Sequence, residues 1–262
     1  KLNLNALFES SDSSSYMILE NIVIETDIDS GSFMTIKGRS IESILDRRII
    51  WTQTTISGSL QDSIERLLNE NYINPSDPNR AYGYWRRIVF KKSTDSRILA
   101  MTANYQFTGD NLLDVIRALC IDNSLGFKLS LERDDSYTNY VFELYMGVDR
   151  TNDQLDNGYV EFSPTYGNLL KTKNIVDSSS YGTSSMDGRY ELFVDARDIS
   201  SDDDGVIIPI AEYNELLKQR GILHLNDYTL QDTSEWELDT SIGPQFRKDY
   251  YLGDVVHVVN EY

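Results

Sequence analysis

The feature that most limits the fold of this chain is the division of its apolar residues into short runs that end at turn-forming residues. The run from Tyr140 to Met146 ends at Gly147, and the run from Tyr159 to Ser163 ends at Pro164. Runs of this length, rich in aromatic and β-branched residues, are typical of β-strands. The 17 tyrosines add to the same preference. We therefore predict a β-dominated α+β fold, and 262 residues are enough for two or three modest cores.

A few segments depart from this pattern because their apolar residues recur at helical spacing. Ser40 is placed to cap a short helix and Ser59 to cap a second one. Gly221 either caps the last helix or lets it pack closely against a neighbour. Helices are predicted at 41–49, 60–71, 110–120 and 211–220.

The predicted strands include a hairpin, in which two apolar runs are joined by turn residues around Gly31. The hairpin strands lie at 16–25 and 32–37. Further strands are predicted at 87–91, 97–103, 126–132, 140–146, 159–163, 255–260 and around Trp236.

One more strand is predicted from Arg189 to Ile199, between a Ser- and Gly-rich stretch and an acidic loop. Its apolar residues do not strictly alternate, which favours a strand that is covered on both faces. Its charged end, Asp195, Arg197 and Asp198, is interpreted as an ion-pair cluster. Arg197 is predicted to hold a carboxylate within the chain or across a subunit boundary.

Changes in composition along the chain predict three domains. Residues 1–58 form a first β-rich domain with a short helix, and residues 59–133 form an α+β insertion. Residues 134–262 form a second β-rich domain with a helical insertion near 209–225. The boundary after the insertion is placed at Asp134-Asp135-Ser136.

The formal net charge of −18 argues against a protein that grips nucleic acid, because phosphate binding needs clustered Lys and Arg. An acidic surface instead repels DNA. This repulsion suits a protein that must let DNA slide past it without sticking, although solubility alone also explains the charge. No apolar run is long enough to cross a bilayer, so no membrane contact is predicted. The one cysteine, Cys120, falls on an apolar helix face and is interpreted as a core residue.

The chain contains no phosphate loop, nucleophile elbow, dinucleotide fingerprint or zinc helix. His224 and His257 have no other ligand at metal spacing and are interpreted as structural. We therefore predict no enzyme activity, no catalytic residues and no cofactor. A weak calcium candidate is the acidic loop with Asp202, Asp204 and Glu212, but its spacing does not fit a calcium loop, and a solvated loop is favoured.

An ordered series of short motifs resembles the tail-associated hub proteins of long-tailed phages, the siphophage Pepy-type family. The resemblance extends from about Ile36 to the end of the chain. The series comprises Gly38 to Ile50, Gly109 to Asp114, Gly147 to Arg150, Phe162-Ser163, Gly167 to Leu169, Glu191 to Asp198, Leu217 with Arg220-Gly221, and Tyr251 to Val256.

This resemblance implies a baseplate or tail-tip hub in the virion, similar to the hub of contractile phages and assembled in the host cytoplasm. It implies a homotrimer whose chains each carry two hub-type β-barrels. The implied partners are the tail-tube or distal tail protein, a spike, fibre or tail-associated lysin, and DNA or tape-measure protein that passes without tight binding. Family members usually begin with strands that would precede Lys1, and the stretch between Asn168 and Arg189 looks shorter than the family's, as though a hairpin after Tyr181 were absent.

Within this interpretation two groups of residues are singled out. The predicted structural and assembly residues are Asp149, Arg150, Asp195, Arg197, Asp198, Gly253 and Asp254. The candidates for the acidic lining of a channel are Asp149, Asp202, Asp203 and Asp204.

Two other functions stay open. One is a tail-tip cell-wall hydrolase, whose paired carboxylates would leave no fixed spacing in the sequence. The other is a carbohydrate- or receptor-binding module, suggested by the aromatic residues Tyr82, Tyr84 and Trp85.

Overall fold

The computed structural model describes residues 4, 6–9, 16–27, 31–81, 87–133, 138–177, 191–203, 205–228, 231–239 and 241–259. The chain divides into two compact units. The first comprises Lys1–Ala103, Phe107–Arg117 and Phe127–Leu144, and the second comprises Asn104–Gln106, Ala118–Gly126 and Tyr145–Tyr262.

The first unit holds most of the longer regular elements. Its strands are β1 (Leu7–Glu9), β2 (Tyr16–Asp27), β3 (Gly31–Ser40), β4 (Thr54–Ser59), β5 (Arg87–Lys91), β6 (Thr102–Phe107), β7 (Gly126–Arg133) and β8 (Thr138–Tyr145), with β6 running into the second unit. Its helices are α1 (Leu60–Leu68), α2 (Ser96–Leu99) and α3 (Leu112–Asp122), of which α3 also runs into the second unit. The sheets have the strand orders β1-β2-β3, β4-β6 and β5-β8-β7.

The predicted hairpin is confirmed as β2 and β3, which pair antiparallel from Met17 with Ser40 to Asp27 with Gly31. A register shift falls between Leu19 and Asn21, opposite Gly38. A Cβ atom on Gly38 would lie 1.9 Å from the carbonyl oxygen of Ile18, so the hairpin closes this tightly only because glycine occupies the position.

The two helices expected near Ser40 and Ser59 begin differently. Residues Ile41–Arg47 form a 3-10 helix, and the Ser40 side chain makes no capping hydrogen bond, so the predicted cap is wrong. The Ser59 hydroxyl does accept the Asp62 amide, and α1 buries its predicted apolar stripe. The chain then continues as a π-helical turn, Asn69–Ile73.

The predicted strand at 97–103 is wrong from Arg97 to Met101. The Asp95 carboxylate accepts the Arg97 amide at 2.9 Å and caps the helical turn α2, whose Ile98 is buried. Because this local cap competes with strand pairing, the strand β6 starts only at Thr102.

The second unit is built from shorter pieces. Its strands are β9 (Glu161–Phe162), β10 (Leu169–Asp177), β11 (Asp202–Asp203), β12 (Val206–Ile207), β13 (Gln231–Leu238) and β14 (His257–Val258), and its helix is α4 (Ile210–Leu225). Strands β10 and β13 form a long antiparallel pair, β11 and β12 a short one, and β9 and β14 pair in parallel. A small core of Val160, Phe162 and Leu169 packs against Leu238, Tyr250, Val256 and Val258.

The predicted strand from Arg189 to Ile199 is wrong over residues 191–199, the part that the structure describes. Arg189 and Tyr190 lie outside the described residues, and 191–196 form no regular structure before a turn at 197–198. The Asp195 carboxylate accepts the Arg197 amide at 3.1 Å, a local bond that closes the turn in place of strand pairing. Phe193 is exposed, so this stretch is not covered on both faces.

Helix α4 includes the predicted segment 211–220 and runs past it to Leu225. Both predicted roles of Gly221 are wrong, because it lies inside this helix and a Cβ atom built on it would have no neighbour within 4 Å.

The α+β fold class with many strands is confirmed. The described strands form six small sheets, and none of these sheets closes into a barrel. The two hub-type barrels and the three domain boundaries therefore stay predictions. The described helices include none that is long and apolar enough to cross a membrane.

Candidate functional site

Several motifs from the ordered series contact one another in pairs within a unit. In the first unit, residues 48–50 lie beside residues 109–112. The Ile50 amide donates to the Asp110 carbonyl at 2.9 Å, and the Leu112 amide donates to the Arg48 carbonyl at the same distance. The Asn111 side chain donates to the Asp46 carbonyl and accepts the Leu113 amide, so it also caps α3.

In the second unit, the segment Gly147 to Arg150 lies against Gly253 to Val255. The Val255 amide donates to the Val148 carbonyl at 3.0 Å, and the Arg150 amide donates to the Val255 carbonyl at 2.8 Å. A Cβ atom on Gly147 would lie 1.8 Å from the Gly253 carbonyl oxygen. Gly253 itself has a φ of 93°, a left-handed conformation that glycine adopts at little cost. Both glycines are therefore needed for this contact.

The Asp254 side chain completes the same contact and is only 4% exposed. Its carboxylate accepts the Arg150 Nε at 2.6 Å and the amides of Val148 and Tyr251, both at 2.9 Å. Burial alone would raise the pKa of Asp254, but the bonds from the Arg150 guanidinium and the two amides outweigh it, so the pKa is lowered. Asp254 is thus a buried anion that joins segments more than 100 residues apart.

The buried Asn168 joins a third pair of motifs, Phe162-Ser163 and Gly167 to Leu169. Its side chain accepts the Ser163 amide at 2.8 Å and donates to the Glu161 carbonyl at 3.0 Å. The bonds span a 3-10 turn, Pro164–Tyr166, that ends at Gly167 with a φ of 70°. This turn leads from β9 into β10.

Arg220 on α4 binds the predicted charged segment. Its guanidinium, 8% exposed, donates to the Asp198 carboxylate at 2.8 and 3.3 Å and to the Gln106 carbonyl at 3.0 Å. The Gln106 side chain accepts the Ser200 amide at 2.6 Å. Three separate parts of the second unit therefore meet at Arg220.

The other two members of the predicted ion-pair cluster lie at the surface. The Arg197 guanidinium, 90% exposed, pairs with Asp195 two residues earlier, with Nε to carboxylate distances of 2.9 and 3.0 Å. The bond from Arg197 lowers the pKa of Asp195 to about 2. Arg197 thus holds a carboxylate within the chain, but Asp198 is bound by a different arginine.

The acidic loop residues are used in part to shape the loop. The Asp202 carboxylate accepts the Ser200 hydroxyl at 3.1 Å and the Gly205 amide at 3.3 Å. Glu212 is exposed in the first turn of α4, and Asp204 lies outside the described residues. The described residues contain no group of three or more His, Cys, Asp or Glu side chains placed to hold a metal ion.

Of the channel candidates, Asp149 is exposed, and Asp202 and Asp203 are half-buried in β11. The Asp149 carboxylate accepts the amide and the hydroxyl of Thr151 at 2.8 and 2.7 Å. Whether these carboxylates face a channel stays a prediction.

The described residues considered for chemistry, His224, His257 and Cys120, lie in three different elements. His224 is exposed near the end of α4, and His257 lies in β14 with its ring 6.3 Å from that of Tyr159. Burial raises the pKa of the Cys120 thiol to about 12, so the residue is an uncharged core group at neutral pH. Tyr82, Tyr84 and Trp85 lie outside the described residues.

An open groove of about 520 Å³ borders the Arg150–Asp254 pair. It is lined by Arg150, Tyr159, Pro244, Lys248 and Asp249, among others. The groove thus offers donors, an acceptor and an aromatic ring on one surface, a combination that polar ligands use.

Sequence reasoning had not included Arg220, Gln106 or Asn168 among the site residues. Arg220 carried a usable signal, because it lies one helical turn after the buried Leu216 and places a cation on the inward face of α4. The sequence around Gln106 carried no such signal, since the role of Gln106 depends on contacts with distant segments.

Comparison with known proteins identifies the family of the chain. The family model described as siphovirus ReqiPepy6 Gp37-like protein matches residues 1–184. The chain belongs to this family. No match was found among curated proteins.

Membership of the siphovirus Gp37-like family supports a phage tail-related structural protein. The family match covers the contact between residues 48–50 and 109–112, the Gly147 to Arg150 segment and the Asn168 turn. The resemblance seen in the sequence is therefore confirmed at the level of the phage family, and the hub role within it stays a hypothesis.

Proposed function

We propose that this Gp37-like protein is a hub subunit of a phage tail tip or baseplate. In this role a ring of copies joins the tail tube, or the distal tail protein, to a spike, fibre or tail-associated lysin. The observation that carries the proposal is the family match over residues 1–184. The protein is accordingly expected in the virion after assembly in the host cytoplasm, and gold-labelled antibody that binds intact phage tails would support this location.

The surface of the chain supports an assembly role. Exposed large apolar side chains occur in both units, among them Ile24, Phe33 and Met34 on the β2–β3 hairpin and Tyr251, Leu252 and Val255 beside the Arg150–Asp254 contact. Contiguous exposed apolar surface is uncommon on monomeric proteins and marks sites of association.

The proposed ring is a homotrimer, and mass photometry of the purified chain tests it. The expected result is a particle of three times the 30.0 kDa chain mass, with a ring visible in negatively stained images. A chain that stays monomeric up to about 10 μM would contradict self-assembly, since oligomer populations follow mass action.

The acidic excess is proposed to line the channel of this ring, so that DNA or tape-measure protein passes without sticking. Asp149, Asp202, Asp203 and Asp204 are the candidate positions. A surface of one charge repels a like-charged polymer, and the formal net charge of −18 supports this role.

No enzyme activity is proposed for this chain. The rival function, a tail-tip cell-wall hydrolase, is tested by incubating the protein with purified bacterial cell wall. Release of soluble sugars or peptides above the level given by heat-unfolded protein would overturn the structural role.

The groove beside Arg150 favours one second candidate function, the binding of a carbohydrate. The Tyr159 ring could stack on a sugar while Lys248 and Asp249 bind its hydroxyl groups. Screening the protein against immobilised bacterial glycans tests this function. Binding that is lost in Tyr159→Ala but kept in Tyr166→Ala, an exposed tyrosine outside the groove lining, would support it.

A further inference from the structure

A run of apolar residues projects from the second unit without cover. Val206 and Ile207 form strand β12, and Ile210 begins α4. All three are exposed, and Ile207 is exposed to 82%. Exposed apolar residues that lie close together on a soluble protein mark a site of contact with a partner. We call these three residues the apolar projection.

Acidic side chains border this projection. In the β11–β12 ladder Asp202 pairs with Ile207 and Asp203 pairs with Val206, and directly paired residues share a face of the ladder. A partner surface should therefore offer apolar contact at its centre and positive charge around it.

The first unit carries a surface of this kind. The Trp51 side chain is 56% exposed, and the Arg80 guanidinium lies 5.0 Å from the centroid of its ring. The same guanidinium donates to the Ile49 carbonyl at 2.8 Å, and Ile49 is exposed as well. We call Ile49, Trp51 and Arg80 the arginine–aromatic patch.

Arg80 forms no salt bridge with a carboxylate in the described part of the chain, although the charge of Asp77 acts on its guanidinium. Desolvation and the nearby charge of Arg48 together lower the pKa of Arg80. A carboxylate from outside would relieve this crowding of positive charge. On a chain with a net charge of −18, a second copy supplies carboxylates readily.

We infer that the apolar projection of one copy docks on the arginine–aromatic patch of the next copy. The two surfaces differ, so the contact is heterologous. Repetition of this contact closes a ring when the rotation from one copy to the next divides a full turn evenly. Ile207 and Trp51 are the central anchors, with Arg80 facing the acidic border. This inference rests on the proposed function, because it names the contact by which the ring assembles.

A few central residues can supply most of the binding free energy of such a contact. Truncation of a central aromatic or apolar anchor commonly weakens an interface by about tenfold or more, while contacts at the rim contribute little. Asp202 and Asp203 lie at the rim of this contact, where they can also face a channel.

The test uses two single variants of the full chain, Ile207→Asp and Trp51→Ala. Both residues are exposed, so each variant is expected to fold, as circular dichroism would verify. Each variant alone should be monomeric under conditions in which the wild-type chain assembles. An equimolar mixture should give dimers and nothing larger, because the intact projection of Trp51→Ala fits the intact patch of Ile207→Asp, and both other surfaces are blocked.

Native mass spectrometry of the mixture, with one variant isotope-labelled, identifies a heterodimer by its mass. The matched control is Leu155→Asp, which also places a carboxylate at a fully exposed apolar position of the second unit and should assemble like the wild type. Raising the salt from about 0.05 to about 0.5 M should weaken wild-type assembly severalfold, because the rim is ionic.

Each of the three other possible results would overturn a different part of this inference. Variants that assemble like the wild type would refute this contact and leave the proposed ring intact. Monomeric variants whose mixture forms no heterodimer would refute the pairing of these two surfaces. A wild-type chain that is monomeric at every concentration would refute the proposed self-assembly itself.

Discussion

At the scale of single residues, Asp254 has the largest expected effect on stability. Replacement of Asp254 by Asn should lower the free energy of unfolding by roughly 3 kcal/mol, because Arg150 is left without its buried counterion. Urea denaturation followed by circular dichroism measures this change. The matched control is Asp149→Asn, an exposed position where the amide oxygen can still accept the Thr151 amide, and its unfolding midpoint should be unchanged. Equal loss in both variants would mean that the ion pair has no special role.

The lowered pKa of Asp254 also gives stability a defined pH dependence. The folded-state pKa lies below the unfolded value of about 3.9, so the contribution is complete well above pH 4 and is lost as the pH falls through the folded pKa. The difference in unfolding free energy between wild type and Asp254→Asn should therefore shrink as the pH falls below about 4. Urea titrations at several pH values measure it, and a difference that does not vary with pH would contradict the assignment.

Arg220 and Arg197 offer a direct comparison of a buried and an exposed arginine. Arg220→Ala should cost roughly 3 kcal/mol of stability, because Asp198 and the Gln106 carbonyl both lose their partner. Arg197→Ala removes only an exposed pair, and its unfolding midpoint should match the wild type. Thermal unfolding of both variants is the measurement. A large loss for Arg197→Ala would instead restore its predicted structural or assembly role.

At the scale of elements, two glycines should respond in opposite directions to alanine. Gly221→Ala should stabilise the protein by about 0.5 to 1 kcal/mol, because the residue lies inside α4 with open space around it. Gly147→Ala should destabilise it strongly, since the new methyl group would overlap the Gly253 carbonyl. Chemical denaturation of the two variants in parallel measures both effects. Similar values for the two would contradict the close approach of Gly147 and Gly253.

Local sequence patterns predicted most elements well, including the β2–β3 hairpin, α1 with its Ser59 cap, α3 and α4. The two strands that were predicted wrongly, at 97–103 and 189–199, share one cause. At Asp95 and at Asp195 a side chain binds a backbone amide two residues later, and this local bond produces a turn where the apolar pattern favoured a strand.

At the scale of the whole molecule, the acidic charge should prevent the protein from binding DNA. With a net charge of −18 and a pI of about 4.4, labelled duplex DNA should show no mobility shift at pH 7.5, even at about 0.05 M salt, where phosphate contacts are strongest. A basic DNA-binding protein serves as the positive control in the same gel. A salt-sensitive shift by this protein would contradict the proposed passage of DNA without adhesion.

The sequence by itself determined the α+β class, most helices, the acidic charge and the series of motifs that carried the phage resemblance. These depend on local spacing and composition, which the chain displays directly. Only the tertiary structure decided which motifs meet, that Asp254 binds Arg150, and that Asp198 binds Arg220 rather than Arg197. The reason is physical: an ion pair between residues about 100 positions apart depends on backbone approach, here between Gly147 and Gly253, and no local pattern encodes that approach.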